Sequence, residues 1–197
     1  MKILAATGNK GKLREIREIL EKDNVTIISP DDINLNIDVL EDGSTFEENA
    51  IKKAVALREA SGMNALADDS GLCVDALGGM PGIRSARFAG EKASDSDNIS
   101  KLLRLMQGVA NRKARFVCAM ALALTDGRII TARGECPGMI IDNPTGTGGF
   151  GYDPVFLDEA SGKTFAELPQ EEKNRISHRR MALQTLKDML KSEKVIS

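Results

Sequence analysis

Two adjacent aspartates, Asp68 and Asp69, follow a short apolar segment and could do chemistry together. Their like charges repel, and neither has an evident cationic neighbour in the sequence. Carboxylate oxygens suit Mg²⁺, an ion that keeps several waters and bridges to substrate phosphates. Glu41 and Glu47 could complete such a site, although Glu47 could equally favour a helix start through the helix dipole. The alternative for the Asp pair is an exposed turn held by local side-chain hydrogen bonds.

A second candidate is the polar turn TGNKGK, which lies between an apolar segment and a helical pattern. Backbone N–H groups at a helix start carry partial positive charge, and lysines add mobile cations, so the turn is an anion site in outline. A P-loop is excluded because Ala6 and Leu13 stand where it needs glycine and Ser or Thr. A solvated turn is the alternative. The residues concerned are Thr7, Gly8, Asn9, Lys10, Gly11 and Lys12.

A third candidate is the segment TGTGGFGYDP, residues 145–154, which combines four glycines with two aromatic rings. Glycines allow sharp bends and close approach to a ligand, so a flat, phosphorylated ligand is plausible here. Phe150 and Tyr152 could stack on a base, and core packing is the alternative for both rings. The glycine spacing does not indicate a dinucleotide fold, since Tyr-Asp-Pro follows it and proline disfavours a helix there.

Hydrophobic periodicity predicts the elements that position these residues. Strands are predicted at 2–6, 25–28, 65–67, 116–124 and 129–132, with the third ending in an acidic turn. Helices are predicted at 12–20, 45–61, 94–106 and 177–191. Thr45 and Glu48 form a capping box, Gly62 ends that helix, and Asp126-Gly127 is a hairpin turn. Strands that alternate with helices and then form a hairpin predict an α/β protein with a mixed β-sheet.

Composition excludes several classes of protein. The 197 residues are 42% hydrophobic and 28% charged, with no linker, so one domain over 1–197, in two lobes, is expected. A net charge of −2 disfavours nucleic-acid binding. No apolar run approaches the ~20 residues that span a bilayer, and no signal peptide is evident, so the expected location is cytoplasmic. Three widely spaced cysteines argue against a disulfide framework and a thiolate zinc site.

Six motifs in series resemble the inosine triphosphate pyrophosphatase family. They are TGNKGK at 7–12, EDGSTFEENA at 41–50, ADDSGL at 67–72, MPGIRSARFAG at 80–90, TGTGGFGYDP at 145–154 and SHR at 177–179. The resemblance implies an elongated mixed β-sheet flanked by helices, with a central substrate cleft between two lobes. It also implies a homodimer that hydrolyses ITP, dITP and XTP to the monophosphate and pyrophosphate with Mg²⁺, and so cleanses the nucleotide pool.

The resemblance further implies roles for individual residues. Asp69 would be the catalytic carboxylate and would share Mg²⁺ with Glu41. Substrate would be bound by Thr7, Gly8, Asn9, Lys10, Gly11, Lys12, Lys53, Ser70, Phe150, Gly151, Tyr152, Asp153, Lys173, His178 and Arg179. Two departures stand out: some relatives carry the metal glutamate one residue earlier, at the position of Leu40, and Arg84 stands where relatives often have tyrosine.

Two rival activities remain open at this point. A related Maf-like pyrophosphatase would prefer pyrimidine or modified nucleotides, and a nucleotide sensor would bind ITP without releasing pyrophosphate. For His178, packing on the side of Ala182 and Leu186 is the alternative to a ligand role.

Overall fold

A computed structural model describes residues 1–7 and 10–196 of the chain, and only the backbone of Lys10 and Lys22. Its strands form one sheet in the order β2-β1-β3-β4-β5-β6-β7. The strands are β1 (Lys2–Ala5), β2 (Thr26–Ile28), β3 (Asn64–Val74), β4 (Lys113–Ala123), β5 (Ile129–Ile140), β6 (Phe156–Asp158) and β7 (Lys163–Thr164). Strand β1 pairs in parallel with β2 and β3, whereas β6 pairs antiparallel with β5 and β7. The predicted mixed sheet is confirmed.

The helices are α1 (Lys10–Leu20), α2 (Phe46–Ser61), α3 (Asp95–Leu105), α4 (Gln170–Ile176) and α5 (His178–Ser192). Helix α2 begins and ends as predicted, because the Thr45 side chain accepts the Glu48 N–H and Gly62 closes the helix at φ +69°. The Glu48 carboxylate, however, accepts the N–H of Ser44 at 2.7 Å. Helix α4 was not predicted, although its acidic first turn after Pro169 is a helix-start signal.

Strand β3 is much longer than the predicted 65–67. Asp68, Asp69 and Ser70 lie inside it, so the prediction of an acidic turn is wrong. Between β1 and β4, most of its residues are buried, and the extended backbone gains a hydrogen-bonded neighbour on each side. Sequence propensity could not anticipate this, because aspartates become acceptable in a buried strand only when cations from other elements pair with them.

The fold divides into two compact units, and β3, β4 and β5 contribute residues to both. The first unit contains residues 1–69, 118–134 and 179–197; the second contains residues 70–117 and 135–178. In the first unit, apolar residues of α1 and α5 pack with strand residues such as Ile3 and Leu122. In the second, the ring of Phe116 lies 4.5 Å from that of Phe156 and 5.7 Å from that of Phe165, centroid to centroid.

No helix in the described ranges is both long and apolar enough to cross a membrane. Cys73, Cys118 and Cys136 are all buried and free of disulfides.

Candidate active site

The two neighbouring aspartates of β3 contact different sets of residues. Successive side chains of a strand point to opposite faces of the sheet. The Asp68 Oδ2 lies 2.8 Å from the Lys12 Nζ. Asp69 instead accepts a 3.0 Å hydrogen bond from the Asn49 Nδ2 and lies 3.6 Å from the Lys53 Nζ. One short sequence motif therefore supplies two separate carboxylate sites within the first unit.

Their surroundings also shift the pKa values of the two carboxyl groups in opposite directions. Burial alone would raise the pKa of Asp68, but the charges of Lys12 and Arg179 outweigh it and hold that pKa well below its usual value. For Asp69, burial raises the pKa, and the positive charge of Lys53 offsets this only in part. Lys12 and Arg179 thus favour the ionised form of Asp68, whereas Asp69 is the better proton acceptor of the pair.

A single ammonium group joins Asp69 to Glu41. The Lys53 Nζ lies 3.3 Å from the Glu41 Oε1 as well as 3.6 Å from the Asp69 Oδ1. Lys53 projects from α2, and Glu41 comes from the segment before that helix. Leu40, the alternative position for the metal glutamate, is 77% exposed. Glu41 and the candidate catalytic carboxylate of Asp69 therefore contact the same lysine, and the metal-binding role of Glu41 stays a prediction.

Asn49 fixes this arrangement, and sequence reasoning missed it. It lies one turn before Lys53 on α2, donates to Asp69, and accepts the N–H of Gly43 through its Oδ1 at 2.8 Å. A Cβ on Gly43 would come within 2.6 Å of that oxygen, so the close approach needs glycine. The i, i+4 spacing of Asn49 and Lys53 was the available signal, since residues so spaced share a helix face.

The carboxylates of Asp69 and Glu41 would fit a magnesium ion that is shared with substrate. The described residues include no group of three or more His, Cys, Asp or Glu side chains arranged to hold a metal. Asp69 and Glu41 offer oxygen ligands only, which Mg²⁺ prefers. Mg²⁺ commonly binds through one or two carboxylates plus waters and substrate phosphates, rather than in a complete protein cage. The carboxylate pair meets that requirement.

Asp68 belongs to a buried network with Lys12, Arg179 and Glu15. The Arg179 Nε lies 3.6 Å from the Asp68 Oδ2, and its Nη1 lies 3.5 Å from the Glu15 Oε2. Arg179 and Glu15 are 6% and 7% exposed. Arg179, predicted from resemblance to reach the base, is therefore held in the first unit by two carboxylates. Glu15 was not predicted, although it lies three residues after Lys12 on α1.

The phosphate turn is described only in part. Gly8, Asn9 and the side chain of Lys10 lie outside the described residues. Thr7 donates its N–H to the carbonyl of Ala5 at 2.8 Å, and Gly11 is exposed in the first turn of α1. Lys12 is the cation of this turn whose contact, with Asp68, is defined.

In the second unit, the glycine-rich segment presents the ring of Phe150 to solvent. That residue is 57% exposed, and the Lys173 Nζ lies 4.7 Å from its ring centroid. Lys173 is buried and bonds to the Asp153 carboxylate, which also accepts the Phe150 N–H at 2.8 Å. A Cβ on Gly149 would collide with the same carboxylate. The exposed ring of Phe150 thus lies beside the buried ion pair of Lys173 and Asp153.

Tyr152 is placed differently from Phe150. Its ring is buried, and its hydroxyl donates a 2.8 Å hydrogen bond to the Ser85 carbonyl. Burial raises the pKa of this phenol, and the charge of Asp95 adds to the shift. These contacts favour the packing alternative over base stacking for Tyr152. Gly151, the residue before it, adopts φ +60° and donates its N–H to Asp95.

The remaining predicted residues lie in the second unit. His178 is buried at the start of α5, with its ring stacked on Phe116 at a centroid distance of 5.0 Å. Ser70 follows Asp69 in β3 and is partly exposed. Arg84, at the position where relatives often have tyrosine, is exposed and lies 4.0 Å from the Glu91 carboxylate.

The fold and these clusters define a class: a mixed α/β protein with lysine–carboxylate groups suited to a phosphorylated ligand. Residues 3–189 match the model of the Ham1 family. A "dITP/XTP pyrophosphatase" of Geobacter sulfurreducens is 52% identical over 191 residues, which are 96% of each chain. The solved Ham1 protein of Staphylococcus aureus is 42% identical, with a TM-score of 0.91 and coverage of 98% of this chain and 100% of that one.

A second solved structure, a HAM1 protein of Coxiella burnetii, also gives a TM-score of 0.91, at 39% identity and with 98% of this chain and 99% of that one covered. This chain belongs to the Ham1 family. The family expected from the motif series is confirmed.

Proposed function

We propose that this protein hydrolyses ITP, dITP and XTP to the corresponding monophosphate and pyrophosphate. The carrying observation is that Asp69 and Glu41 share the ammonium of Lys53 and that Asn49 fixes Asp69 in place. The relatives named dITP/XTP pyrophosphatase support the substrate class. We further propose Mg²⁺ as the cofactor, a homodimer as the assembly and the cytoplasm as the location.

The chemistry transfers a nucleotidyl group to water. A water oxygen bonds to the α-phosphorus, the bond from that phosphorus to the bridging oxygen breaks, and pyrophosphate leaves. Asp69 accepts the proton of the attacking water at its carboxylate, which Asn49 holds in place. Asp69 and Glu41 would hold Mg²⁺, which would supply charge neutralisation to the triphosphate.

The lysines stabilise the leaving group. Lys53 lies beside Asp69, and Lys12 belongs to the phosphate turn, so their charges can offset those that develop on pyrophosphate. Each ammonium now contacts a carboxylate, which holds it in place before substrate arrives. Most of the catalytic effect therefore comes from positioning and electrostatics.

Base selection follows from donors and acceptors. Hypoxanthine and xanthine carry an oxygen at position 6, whereas adenine carries an amino donor that a protein donor would repel. Phe150 is the candidate stacking ring, with Lys173 beside it. Arg179 as the reader of the oxygen stays a prediction: Arg179→Ala should narrow the ITP/ATP ratio of rates. Equal losses with both nucleotides would instead assign Arg179 to the neutralisation of Asp68.

The deciding experiment measures pyrophosphate released from ITP, XTP, ATP, GTP and dUTP, with and without Mg²⁺. We expect release from ITP and XTP that requires Mg²⁺, and little from ATP. Preference for dUTP would favour the Maf-like alternative, and ITP binding without release would indicate a sensor. Sedimentation of the purified protein tests the homodimer.

A further inference from the structure

We infer that Asp95 is a positioning residue for the glycine-rich loop, residues 145–154, a role that goes beyond the proposed function and rests on it. Asp95 is the first residue of α3, and its Oδ2 accepts the N–H of Gly151 at 2.7 Å. The two residues are 56 positions apart in the chain and belong to the same compact unit. Gly151 directly follows Phe150, the exposed ring assigned to the purine.

Asp95 is not needed to cap its own helix. The Ser94 side chain accepts the N–H of Asp97, and the Asp97 carboxylate accepts the N–H of Ser94 at 2.9 Å, which completes a capping box. These contacts cap the helix start without the Asp95 side chain. The Asp95 carboxylate is directed instead to the backbone of another segment.

The Gly151 N–H is a backbone donor at a place where the chain turns through the left-handed region, with φ +60°. Phe150 is held on its other side by Asp153, which accepts the Phe150 N–H at 2.8 Å. Successive N–H groups of the loop thus bond to carboxylates from two different elements. Asp95 provides the one that comes from outside the loop.

The arrangement has a functional consequence. A stacking ring helps binding only if it is already oriented, because ordering it on binding would cost conformational entropy. A carboxylate acceptor makes a stronger hydrogen bond than a neutral one. Asp95 therefore holds Phe150 in a prepared orientation and takes no part in the transfer chemistry at Asp69.

The test compares Asp95→Ala with wild-type enzyme in two measurements. With ITP, we expect KM to rise about five-fold while kcat stays within two-fold, since a ground-state contact is lost and the reacting groups are intact. Without any nucleotide, the Gly151 amide should exchange its hydrogen about ten-fold faster, as read by NMR. Asp95→Asn keeps an oxygen acceptor and should restore KM most of the way.

Asp97→Ala is the matched control, because it damages the start of the same helix and leaves Asp95 in place. It should lower Tm but leave KM and Gly151 exchange unchanged. Equal KM increases in both variants, or unchanged KM and exchange in Asp95→Ala, would overturn the inference. If wild-type protein releases no pyrophosphate from ITP, the proposed function fails, and the nucleotide-free exchange rate decides alone whether Asp95 holds the loop.

Discussion

The cluster of Asp69, Glu41 and Lys53 in the first unit and the glycine-rich loop around Phe150 in the second use charge in different ways. The two charged residues beside Asp69 are only partly buried: the side chain of Glu41 is 37% exposed and that of Lys53 16%. In the loop, the side chains of Lys173 and Asp153 are 8% and 4% exposed, and the exposed group is an apolar ring. The first cluster thus keeps its charged groups accessible to solvent, whereas the second buries its ion pair and exposes the Phe150 ring.

The largest effect should come from Asp69→Asn, which removes the proton acceptor and a candidate metal ligand. We expect kcat for pyrophosphate release from ITP to fall by a factor of roughly 10³ or more, in line with the loss of general base and metal assistance. The fold should persist, since an amide can still bond to Asn49. Steady-state kinetics and circular dichroism measure the two properties.

Asp31→Asn is the control for this substitution, because Asp31 is an exposed acid in a short turn of the same unit. It should leave turnover unchanged. Near-normal turnover by Asp69→Asn would remove that carboxylate from the chemistry and end the contrast between the two regions.

The next effect in size tests whether Lys53 contributes to catalysis. Lys53→Met should lower kcat/KM for ITP on the order of 100-fold, because one preorganised cation at the leaving pyrophosphate is lost. The neighbouring Lys52 supplies a matched control, since it projects from the same helix and pairs with Asp42 instead. Lys52→Met should change kcat/KM less than two-fold. Similar losses in both variants would indicate general charge attraction rather than a specific role.

For the region around Asp69, sequence patterns predicted the helices and strands better than the contacts between side chains. The α2 capping signal at Thr45 and the stop at Gly62 are local, and both are confirmed. The course of β3 through Asp68 and Asp69 was not predictable, because it depends on Lys12, Lys53 and Arg179 arriving from elsewhere in the chain. The strand propensity of aspartate reflects the free-energy cost of burying a carboxylate, but it contains no information about a cation that is distant in the sequence.

In the glycine-rich loop, too, the sequence predicted the local backbone but not the contacts with distant residues. Its glycines predicted an irregular backbone. Its two aromatic residues are only two positions apart in the sequence, yet Phe150 is exposed and Tyr152 is buried. The hydroxyl of Tyr152 finds its acceptor at Ser85, 67 residues away in the chain. No pattern within ten residues could distinguish the two rings.

A smaller effect is expected from Phe150→Leu, which removes the exposed ring of the loop. Base–aromatic stacking contributes ~1–3 kcal/mol, so KM for ITP should rise about ten-fold with kcat nearly unchanged. The control is Phe88→Leu, since the Lys101 Nζ lies 4.4 Å from the Phe88 centroid in a similar cation–π contact. That variant should keep the KM of wild type. An unchanged KM in Phe150→Leu would move base recognition away from this ring.

The last prediction concerns the ionisation of Tyr152 and involves no change in the rate of the enzyme. Tyr152 is the single tyrosine in a chain without tryptophan, so its absorbance can be followed directly. Burial and the charge of Asp95 raise its pKa, so the neutral phenol favours the folded state, and that contribution is lost as pH rises through the folded pKa. Absorbance recorded directly after a jump to pH 10 should show little phenolate in folded protein. Protein unfolded in guanidinium should be about half ionised there. Half ionisation of the folded protein would mean that the ring is open to solvent, and would return Tyr152, beside Phe150, to the candidates for stacking on the purine.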